Sequence, residues 1–284
     1  MKWSFRDRSV TIGARPLVMG IVNVTPDSFS DGGQFASTPA AIDYAIRLAE
    51  EGADFLDIGG ESTRPGSKPV PLEEELARVI PVVRGLSGRI NIPISVDTSK
   101  AEVARQALAA GASIVNDVAA GRGDPDTVGV VCRFGAGVVL MHMQGTPETM
   151  QLNPTYADVV REVRAFLAER VQSFLDAGVA AERIAIDPGI GFGKTFEHNM
   201  TLLRDLGELA SIGRPVVLGV SRKGMLGQIT GRPRGERLAS SLAAACYCAS
   251  DGAAHILRVH DVAPTVDAAK VIGAVRAKFD ENPI

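Results

Sequence analysis

The chain has 284 residues, of which 45% are hydrophobic and 22% are charged, and its formal net charge is −3. This length and apolar content suffice for one buried core, whereas a slightly acidic chain without a basic surface is not expected to bind nucleic acid. It contains neither an apolar leader after Met1 nor a stretch of about 18 apolar residues, so the sequence predicts no secretion signal and no membrane span, and a cytoplasmic protein is expected.

The first predicted elements are a hairpin and a helix. Residues 1–16, which include Val10-Thr11-Ile12-Gly13, are predicted to form a short hairpin outside any repeat. Thr38-Pro39 then opens a helix, because a capping residue followed by proline is typical of a first helical turn. Apolar residues recur at helical spacing as far as Ala49, and Gly52 ends the helix.

The same helix ending recurs along the chain. Four glycines, each followed by alanine and then by an apolar run, occur at Gly52, Gly111, Gly135 and Gly252. Glycine tolerates the left-handed conformation that ends a helix, so the four copies indicate one repeated helix-to-strand unit. A further helix start is predicted at Ser99, where Glu102 three residues later would complete a capping box.

Eight apolar runs are predicted as strands. They lie near residues 17–23, 54–59, 93–97, 113–116, 137–142, 183–187, 214–220 and 254–260. Polar or chemically capable residues stand at the ends of the runs, namely Asn23, Gly59-Gly60-Glu61, Asp97, Asn116-Asp117, Met141-His142, Asp187, Ser221-Arg222-Lys223, and Arg258 with His260. Parallel strands bring all these ends together when the sheet closes, so the predicted fold is an α/β (β/α)8 TIM barrel that forms a single domain over residues 1–284.

Nucleotide and metal motifs are not supported. Gly193-Lys194-Thr195 resembles the end of a phosphate-binding loop, but the glycine required five positions before Gly193 is Pro188. The segment 189–193 also lacks the glycine spacing of a dinucleotide fingerprint. The four histidines and three cysteines show no metal-ligand spacing, so any divalent ion is expected to be magnesium brought with a phosphate.

An anion-binding group is predicted at the mouth of the barrel. Arg258 and His260 are two residues apart on one strand and therefore share a face. Together with Asn23 and Arg64 they suit a polyanion such as diphosphate. Two alternatives remain open at this point: Arg258 in a surface ion pair, and His260 as a structural hydrogen-bonding residue.

A second predicted group recognises a flat heterocycle. Asp97, Asn116 and Asp187 end three different strands, and buried carboxylates require hydrogen-bond donors. A ring edge with two parallel N–H groups pairs with one carboxylate, and pterins present such an edge. Asp97 could instead cap the following helix, and Lys223 could either donate to a ring carbonyl or be an exposed solvated lysine.

With these residues in place, the chain closely resembles the dihydropteroate synthase family. The resemblance extends over almost the whole chain and rests on the segments Asn23 to Gly32, Gly59 to Gly66, Asp97-Thr98, Asn116-Asp117, Met141 to Gly145, Asp187 to Gly189, Gly191 to Lys194, Ser221 to Lys223 and Arg258 to Asp261. Two departures are small. Gly224 stands where many members carry serine, and Val118 stands where isoleucine is common, which affects only the detailed shape of the pocket.

The resemblance implies condensation of 6-hydroxymethyl-7,8-dihydropterin diphosphate with para-aminobenzoate, giving 7,8-dihydropteroate and diphosphate. It implies a pterin pocket of Asp97, Asn116, Val118, Met141, Asp187, Phe192, Gly219, Lys223 and Arg258. It implies a para-aminobenzoate pocket of Phe29, Thr63, Pro65, Phe192 and Ser221. The diphosphate would be held by Asn23, Thr63, Arg64, Arg258 and His260, with Mg²⁺ bound through Asn23. The implied catalytic set is Asn23, Arg64, Lys223, Arg258 and His260.

The implied mechanism starts with departure of diphosphate and needs no strong base. The protein would neutralise the leaving anion and exclude water until the aromatic amine attacks. The segments after the first and second strands are long for βα loops and are interpreted as lids, although their glycines could simply form turns. The resemblance also suggests a homodimer formed through the later helices.

Two other functions deserve comparison. A methyltetrahydrofolate methyltransferase would bind a pterin on a similar barrel, but it would have no use for Arg64, Ser221, Lys223 and His260 as a diphosphate and aminobenzoate set. A non-catalytic pterin-binding protein would keep Asn116 and Asp187 while losing the anion-binding residues. Product analysis distinguishes these possibilities from the condensation.

Overall fold

A computed structural model describes residues 1–25 and 38–277 of the protein. Its strands are Lys2–Phe5 (β1), Arg8–Thr11 (β2), Leu17–Asn23 (β3), Phe55–Gly59 (β4), Ile94–Asp97 (β5), Ile114–Asp117 (β6), Gly137–Met141 (β7), Ile184–Asp187 (β8), Val217–Leu218 (β9) and Ile256–Val259 (β10). Strands β3 to β10 form one parallel sheet in the order β8-β7-β6-β5-β4-β3-β10-β9. A parallel bridge between Ile186 and Val216 connects its two outer strands. The predicted (β/α)8 barrel is therefore confirmed.

The helices alternate with the strands around the outside of the barrel. They are Thr38–Glu50 (α1), Leu72–Leu86 (α2), Ala101–Ala110 (α3), Thr127–Phe134 (α4), Val159–Asp176 (α5), Phe196–Arg204 (α6), Gly224–Thr230 (α7), Leu238–Ser250 (α8) and Val262–Arg276 (α9). In the described part of the chain, no helix combines the length and the apolar character needed to cross a membrane.

The predicted glycine stops are confirmed. Gly52, Gly111, Gly135 and Gly252 follow α1, α3, α4 and α8, and their φ angles are 97°, 124°, 56° and 89°. Residues with a side chain rarely adopt such φ angles, so glycine at these positions allows each helix to turn directly into the next strand.

Two local predictions were wrong. Ser99 does not cap α3: the first helical N–H, of Ala101, donates to Asp124 Oδ2 at 2.9 Å, while Glu102 pairs with Arg105. A carboxylate from a neighbouring loop thus replaces the expected local cap. The seventh barrel strand was expected over 214–220 but is limited to Val217–Leu218; Val216, directly before it, takes part in the parallel bridge to Ile186 that closes the sheet.

The N-terminal hairpin is confirmed and closes the bottom of the barrel. β1 pairs antiparallel with β2, and Trp3 and Phe5 are fully buried. The Trp3 and Phe55 ring centroids lie 5.4 Å apart, and those of Phe5 and Phe55 lie 6.0 Å apart. These rings form one apolar cluster with inward side chains from most of the barrel strands. Below the mouth, the interior is therefore a packed core rather than a channel.

Alternation along each strand decides which residues reach the interior. On β10, Ile256 belongs to the inner apolar cluster, whereas Leu257 and Val259 pack outward in the core between sheet and helices. Arg258, between the two outward residues, therefore points inward with Ile256. The same alternation on the other strands carries polar side chains inward at their C-terminal ends, where the apolar core stops.

Candidate active site

A cavity of about 610 Å³ opens at the C-terminal ends of the strands. Many of the residues predicted for binding or catalysis line this one space: Asn23, Thr63, Arg64, Pro65, Asp97, Phe192, Gly219, Ser221, Lys223, Arg258 and His260. Phe29 lies outside the described residues. The remaining predicted residues, Asn116, Val118, Met141 and Asp187, are buried and do not line this cavity.

The floor of the cavity holds a network of buried charges. Arg258 donates from Nε to Asp57 Oδ2 at 2.6 Å and from Nη2 to Asp97 Oδ2 at 2.7 Å. The Asn116 amide donates from Nδ2 to the same oxygen of Asp57 at 2.9 Å. Arg258 is thus in an ion pair, but at the barrel floor and not on the surface. Asp97 binds Arg258 and does not cap α3.

Burial and shared charge shift the pKa values of this network. Burial is the main cause that raises the pKa of Asp97 to about 7; Arg258 acts in the opposite direction, and the nearby carboxylate of Asp57 acts in the same direction as burial. Burial acts to lower the pKa of Arg258, but Asp57 and Asp97 outweigh it and raise that pKa above its usual value. Arg258 is therefore always charged, and Asp97 changes its ionisation near neutral pH.

Asp187 supports the loop that follows its own strand. Its Oδ1 accepts a hydrogen bond from Gly189 N at 2.7 Å, and burial raises the pKa of its carboxyl. Gly189 has a φ of 66°, and a Cβ at this position would lie 1.8 Å from the carbonyl oxygen of His142. Only glycine fits this close approach, which brings the loop from β8 against the loop from β7.

Lys223 lies against an aromatic ring and not in open solvent. Its Nζ is 4.2 Å from the centroid of Phe192, a distance typical of a cation–π contact. Burial lowers the pKa of Lys223 to about 8, while Asp187 acts in the opposite direction. The alternative of an exposed solvated lysine is therefore wrong.

An apolar wall flanks the charged floor. Val118 and Met141 cluster with Met143 and Met150, and Phe192 packs against this cluster. Met150 and Phe192 also line the cavity, so the wall reaches the open space. A flat ring held between Phe192 and the floor would bury its faces against apolar atoms and present its edge to the polar groups.

Lys194 is a buried lysine that sequence reasoning did not include in the site. Its Nζ lies 2.9 Å from His142 Nδ1 and 3.0 Å from the carbonyl oxygens of both Gly189 and Phe192. An ammonium group has three donors, and these three acceptors satisfy all of them. Burial lowers the pKa of Lys194 to about 7 and that of His142 to about 2, so His142 is neutral and accepts. Lys194 thereby fixes the segment that carries Phe192.

Arginine side chains surround the upper part of the cavity. Arg64, Arg222, Arg234 and Arg237 all line it. Burial lowers the pKa of Arg234, and the nearby charges of Arg64, Arg222 and Arg237 lower it further. Arg222 is also bonded to Asp261, with Nε 2.9 Å from Oδ2. This rim is cationic although the chain as a whole has a net charge of −3, and such a local excess favours binding of an anion.

Ser221 and His260 connect the ends of β9 and β10. His260 N donates to Ser221 Oγ at 3.2 Å, and the ring Nδ1 lies 3.0 Å from the same oxygen. Since burial lowers the pKa of His260 to about 3, the neutral ring accepts the serine proton. His260 therefore has the structural hydrogen bond that was considered as an alternative, and it also faces the cavity.

The second predicted lid contacts the loop that follows β7. Gly66 N donates to the carbonyl oxygen of Pro147 at 3.0 Å, and Ser67 Oγ lies 3.1 Å from Ser62 Oγ. Arg64 and Pro65 are exposed on this segment. The first predicted lid lies largely within residues 26–37 and so outside the described residues.

Sequence reasoning missed Asp57 as well as Lys194. Asp57 lies inside an apolar strand and ends no motif, which is why it drew no attention. The signal was nevertheless present: Asp57 is two residues from Phe55 on β4, so a charged side chain was predictable at an inward position. Arg234 and Arg237 carried no signal, since they approach the cavity from the segment before α8.

The donor set fits magnesium bound together with a phosphate. Among residues 1–25 and 38–277, no three His, Cys, Asp or Glu side chains form a group that could hold a metal ion. Asn23 supplies one amide oxygen at the cavity wall. Mg²⁺ commonly binds through few protein oxygens and takes its other ligands from substrate phosphates and water, so one amide and a diphosphate are compatible with it.

Comparison with known proteins agrees with this site. The family described as pterin binding enzyme matches residues 19–260, and the chain belongs to this family. More particularly, it is 47% identical to a dihydropteroate synthase of Synechocystis sp. over 93% of this chain and 91% of the relative.

Two solved structures extend the comparison. A dihydropteroate synthase of Xanthomonas albilineans with 4-aminobenzoic acid has a TM-score of 0.91 and 51% identity, covering 98% of this chain and 99% of that one. The Xanthomonas albilineans enzyme in complex with 7,8-dihydropteroate has a TM-score of 0.87 and 48% identity, covering 98% and 100%. The predicted family resemblance is thereby confirmed.

Proposed function

We propose that the chain condenses 6-hydroxymethyl-7,8-dihydropterin diphosphate with para-aminobenzoate to give 7,8-dihydropteroate and diphosphate, as a transferase of folate biosynthesis. One observation carries the proposal: a cationic rim lines the same cavity as Asp97 and Arg258, and these two connect through hydrogen bonds to the buried Asp57 and Asn116. The floor suits the donor edge of a pterin, and the rim suits the diphosphate and the carboxylate of the second substrate.

Asp97, Asn116, Asp187 and Lys223 are proposed to read the edge of the pterin. Val118, Met141, Phe192 and Gly219 would enclose the ring, and Arg258 would stack on it. Asp97 Oδ2 already accepts from Arg258, so an oxygen of Asp97 is shared between the arginine and the ligand. A carboxylate oxygen accepts more than one hydrogen bond, which makes this sharing possible.

Asn23, Thr63, Arg64, Arg258 and His260 are proposed to hold the diphosphate. His260 is neutral without a ligand because burial lowers its pKa to about 3. With Nδ1 accepting from Ser221, its proton lies on Nε2 and can be donated to a phosphate oxygen. Magnesium, held through Asn23, would offset part of the phosphate charge. These groups together would stabilise the charge that develops on the leaving diphosphate.

Phe29, Thr63, Pro65, Phe192 and Ser221 are proposed to form the para-aminobenzoate subsite. No strong base is required, because the amine nucleophile is neutral and loses its proton only after attack. The residues instead orient the two substrates and keep water from the reacting carbon.

The test is to incubate the purified protein with the pterin diphosphate, para-aminobenzoate and magnesium, and to look for 7,8-dihydropteroate. Omission of each component in turn is the control. A methyltransferase would instead transfer methyl groups from methyltetrahydrofolate, and a non-catalytic protein would bind pterin without product. Either result would contradict the proposal.

A homodimer in the cytoplasm belongs to the same proposal. Exposed apolar side chains on the later helices support a contact between copies: Ile229 on α7, Tyr247 on α8, and Val271 and Val275 on α9. Light scattering on the purified chain should give twice the mass of 29.9 kDa, and a monomer at micromolar concentration would contradict the dimer. Cell fractionation tests the location.

A further inference from the structure

The buried carboxylate of Asp57 connects two residues of the proposed pterin pocket. Its Oδ2 accepts from Arg258 Nε at 2.6 Å and from Asn116 Nδ2 at 2.9 Å. Asp57 is fully buried and belongs to none of the motifs that define the site. One oxygen on β4 therefore contacts side chains from β6 and β10 at the same time.

Asp57 lies where the barrel interior changes from apolar to polar. Phe55, two residues earlier on β4, belongs to the apolar cluster under the mouth, and the strand partners of Asp57 are Ile21 and Ser95. A charge at this depth is costly. Within the described part of the chain, Asp57 Oδ1 has no hydrogen-bond partner, so hydrogen bonds do not fully offset that cost. An apolar residue would serve a purely structural role better.

The contact with Asn116 fixes the direction of its amide. A carboxylate only accepts, so the NH₂ group of Asn116 must face Asp57, and a flipped amide would place two oxygens against each other. The carbonyl oxygen of Asn116 is consequently the atom left for a ligand. Through this oxygen, Asn116 can accept from a hydrogen-bond donor of the ligand.

The contact with Arg258 fixes the plane of its guanidinium. Nε is bound to Asp57 on β4, and Nη2 is bound to Asp97 on β5. Rotation of the group would break at least one of these charge-assisted bonds. The flat face of Arg258 is therefore held in a single orientation at the floor of the cavity.

We propose that Asp57 is a positioning residue for the condensation: it sets the amide of Asn116 and the guanidinium of Arg258 for the pterin. This inference rests on the proposed function. Asp57 acts through these two side chains and has no direct contact with the reacting carbon.

The first test compares two substitutions at the position. Asp57→Ala removes the acceptor, whereas Asp57→Asn keeps an oxygen that can receive both hydrogen bonds. At saturating para-aminobenzoate, kcat/KM for the pterin diphosphate should fall by about 100-fold in Asp57→Ala and by about tenfold or less in Asp57→Asn. KM for para-aminobenzoate, measured at saturating pterin diphosphate, should change by less than about threefold in both.

Ser95→Ala is the matched control. Ser95 is buried on β5 as the strand partner of Asp57, and its Oγ has no hydrogen-bond partner among the described residues. This variant should behave as the wild type. Equal losses of kcat/KM for the pterin diphosphate in Asp57→Ala and Ser95→Ala would show a general effect of perturbing the barrel floor. That result would overturn the proposal.

A double-mutant cycle shows whether Asp57 acts through Asn116. The loss in pterin affinity caused by Asp57→Ala should be much smaller in an Asn116→Ala background than in the wild type, because the amide to be positioned is already gone. If the two substitutions lowered pterin affinity by independent, multiplicative factors, this would contradict the proposed positioning.

The pH dependence gives a readout that survives if Asp57→Ala does not fold. Asp97 interacts electrostatically with Asp57 on β4, Arg258 on β10, Glu75 on α2, Asp117 on β6 and Lys223 before α7. Removing the charge of Asp57 in Asp57→Asn should move the acidic midpoint for binding of 6-hydroxymethyl-7,8-dihydropterin about one pH unit lower. An unchanged midpoint would show that the two carboxylates are not linked through Arg258.

Failure of this inference is distinct from failure of the proposed function. If the wild type forms no dihydropteroate, the function itself is wrong. If the wild type is active and Asp57→Ala matches Ser95→Ala, only the role of Asp57 is wrong.

Discussion

At the residue scale, Asp97 shows how the barrel floor affects the ionisation of a proposed pterin-binding group. Its carboxylate is buried beside a second carboxylate, Asp57, and the two share the single guanidinium of Arg258. One cation does not fully compensate two buried anions, so burial and the charge of Asp57 keep the pKa of Asp97 high. A ligand that brings two N–H donors would complete the compensation.

This environment predicts a pH dependence of pterin binding. The pKa of Asp97 is about 7 in the free protein, and the proposed contact requires the ionised form. Affinity for 6-hydroxymethyl-7,8-dihydropterin should therefore fall by about tenfold per pH unit as the pH drops below 7, where Asp97 becomes protonated. Calorimetry between pH 5.5 and 8.5 measures this, and a ligand without diphosphate avoids titration of the phosphate.

Asp97→Asn provides the control for that measurement. The variant should bind the pterin more weakly and show no midpoint near pH 7. If the variant retained the same midpoint, another group would be responsible for it.

Gly219 makes a second prediction at the scale of one residue. A Cβ at this position would meet no atom within 4 Å, since the glycine faces the cavity. Gly219→Val should therefore leave the melting temperature within a few degrees of the wild type while weakening pterin binding at least about tenfold, because the side chain occupies the place of the ring. Unchanged affinity would show that the ring does not lie over Gly219.

At the element scale, the loop after β8 is held by hydrogen bonds to the side chains of Asp187 and Lys194. Asp187 accepts from Gly189 N, and Lys194 donates to the carbonyl oxygens of Gly189 and Phe192. The loop is thus hydrogen-bonded near both ends to buried ionisable side chains. The ring of Phe192, which lies between them, contacts Lys223. These contacts place the aromatic ring of Phe192 at the cavity although this residue lies outside the helices and strands.

Gly189→Ala should destabilise the protein strongly. The new methyl group would lie 1.8 Å from the carbonyl oxygen of His142, and the residue would keep a φ of 66°. We expect a loss of about 3 kcal/mol in the free energy of unfolding, measured by urea denaturation.

Gly213→Ala is the matched control for backbone strain. Gly213 has a similar φ of 69°, and its Cβ would meet nothing within 4 Å. The left-handed conformation alone should cost about 1 kcal/mol. Equal losses in the free energy of unfolding for the two substitutions would show that backbone strain, and not the close approach of the two loops, requires glycine at position 189.

At the scale of the whole molecule, stability and chemistry lie at opposite ends of the barrel. The hairpin of β1 and β2 seals the N-terminal ends of the strands with aromatic side chains, while the cavity opens at the C-terminal ends. The hairpin therefore contributes to the stability of the barrel without touching the site, a division that is common in this architecture.

Trp3→Ala tests this division. Trp3 is fully buried, contacts Phe5 and Phe55, and donates from Nε1 to the carbonyl oxygen of Arg183 at 3.0 Å. The substitution should lower the free energy of unfolding by about 3–5 kcal/mol. At a temperature where the variant is folded, KM for both substrates should stay close to the wild-type values.

Leu152→Ala is the control, because Leu152 is 81% exposed. Its substitution should change the free energy of unfolding by less than about 0.5 kcal/mol. A changed KM in Trp3→Ala would indicate that the hairpin of β1 and β2 and the cavity are coupled.

The sequence by itself determined the order of strands and helices and the residues at each strand end. Helical and strand periodicities and glycine stops such as Gly52 and Gly252 are properties of short segments, so they can be read without knowing the fold. The inward face shared by Arg258 and His260 followed from alternation alone, and most predicted site residues indeed line one cavity.

Only the tertiary structure decided which charges meet. Arg258 and Asp57 are 201 residues apart in the chain and become partners only because the sheet closes on itself. For the same reason Asp124 replaced the local cap predicted at Ser99, and Lys194 found three acceptors in two different loops. Local patterns fix where a side chain points, but a buried charge takes whichever partner the packing brings within hydrogen-bond distance, because leaving it unpaired costs more than any local preference.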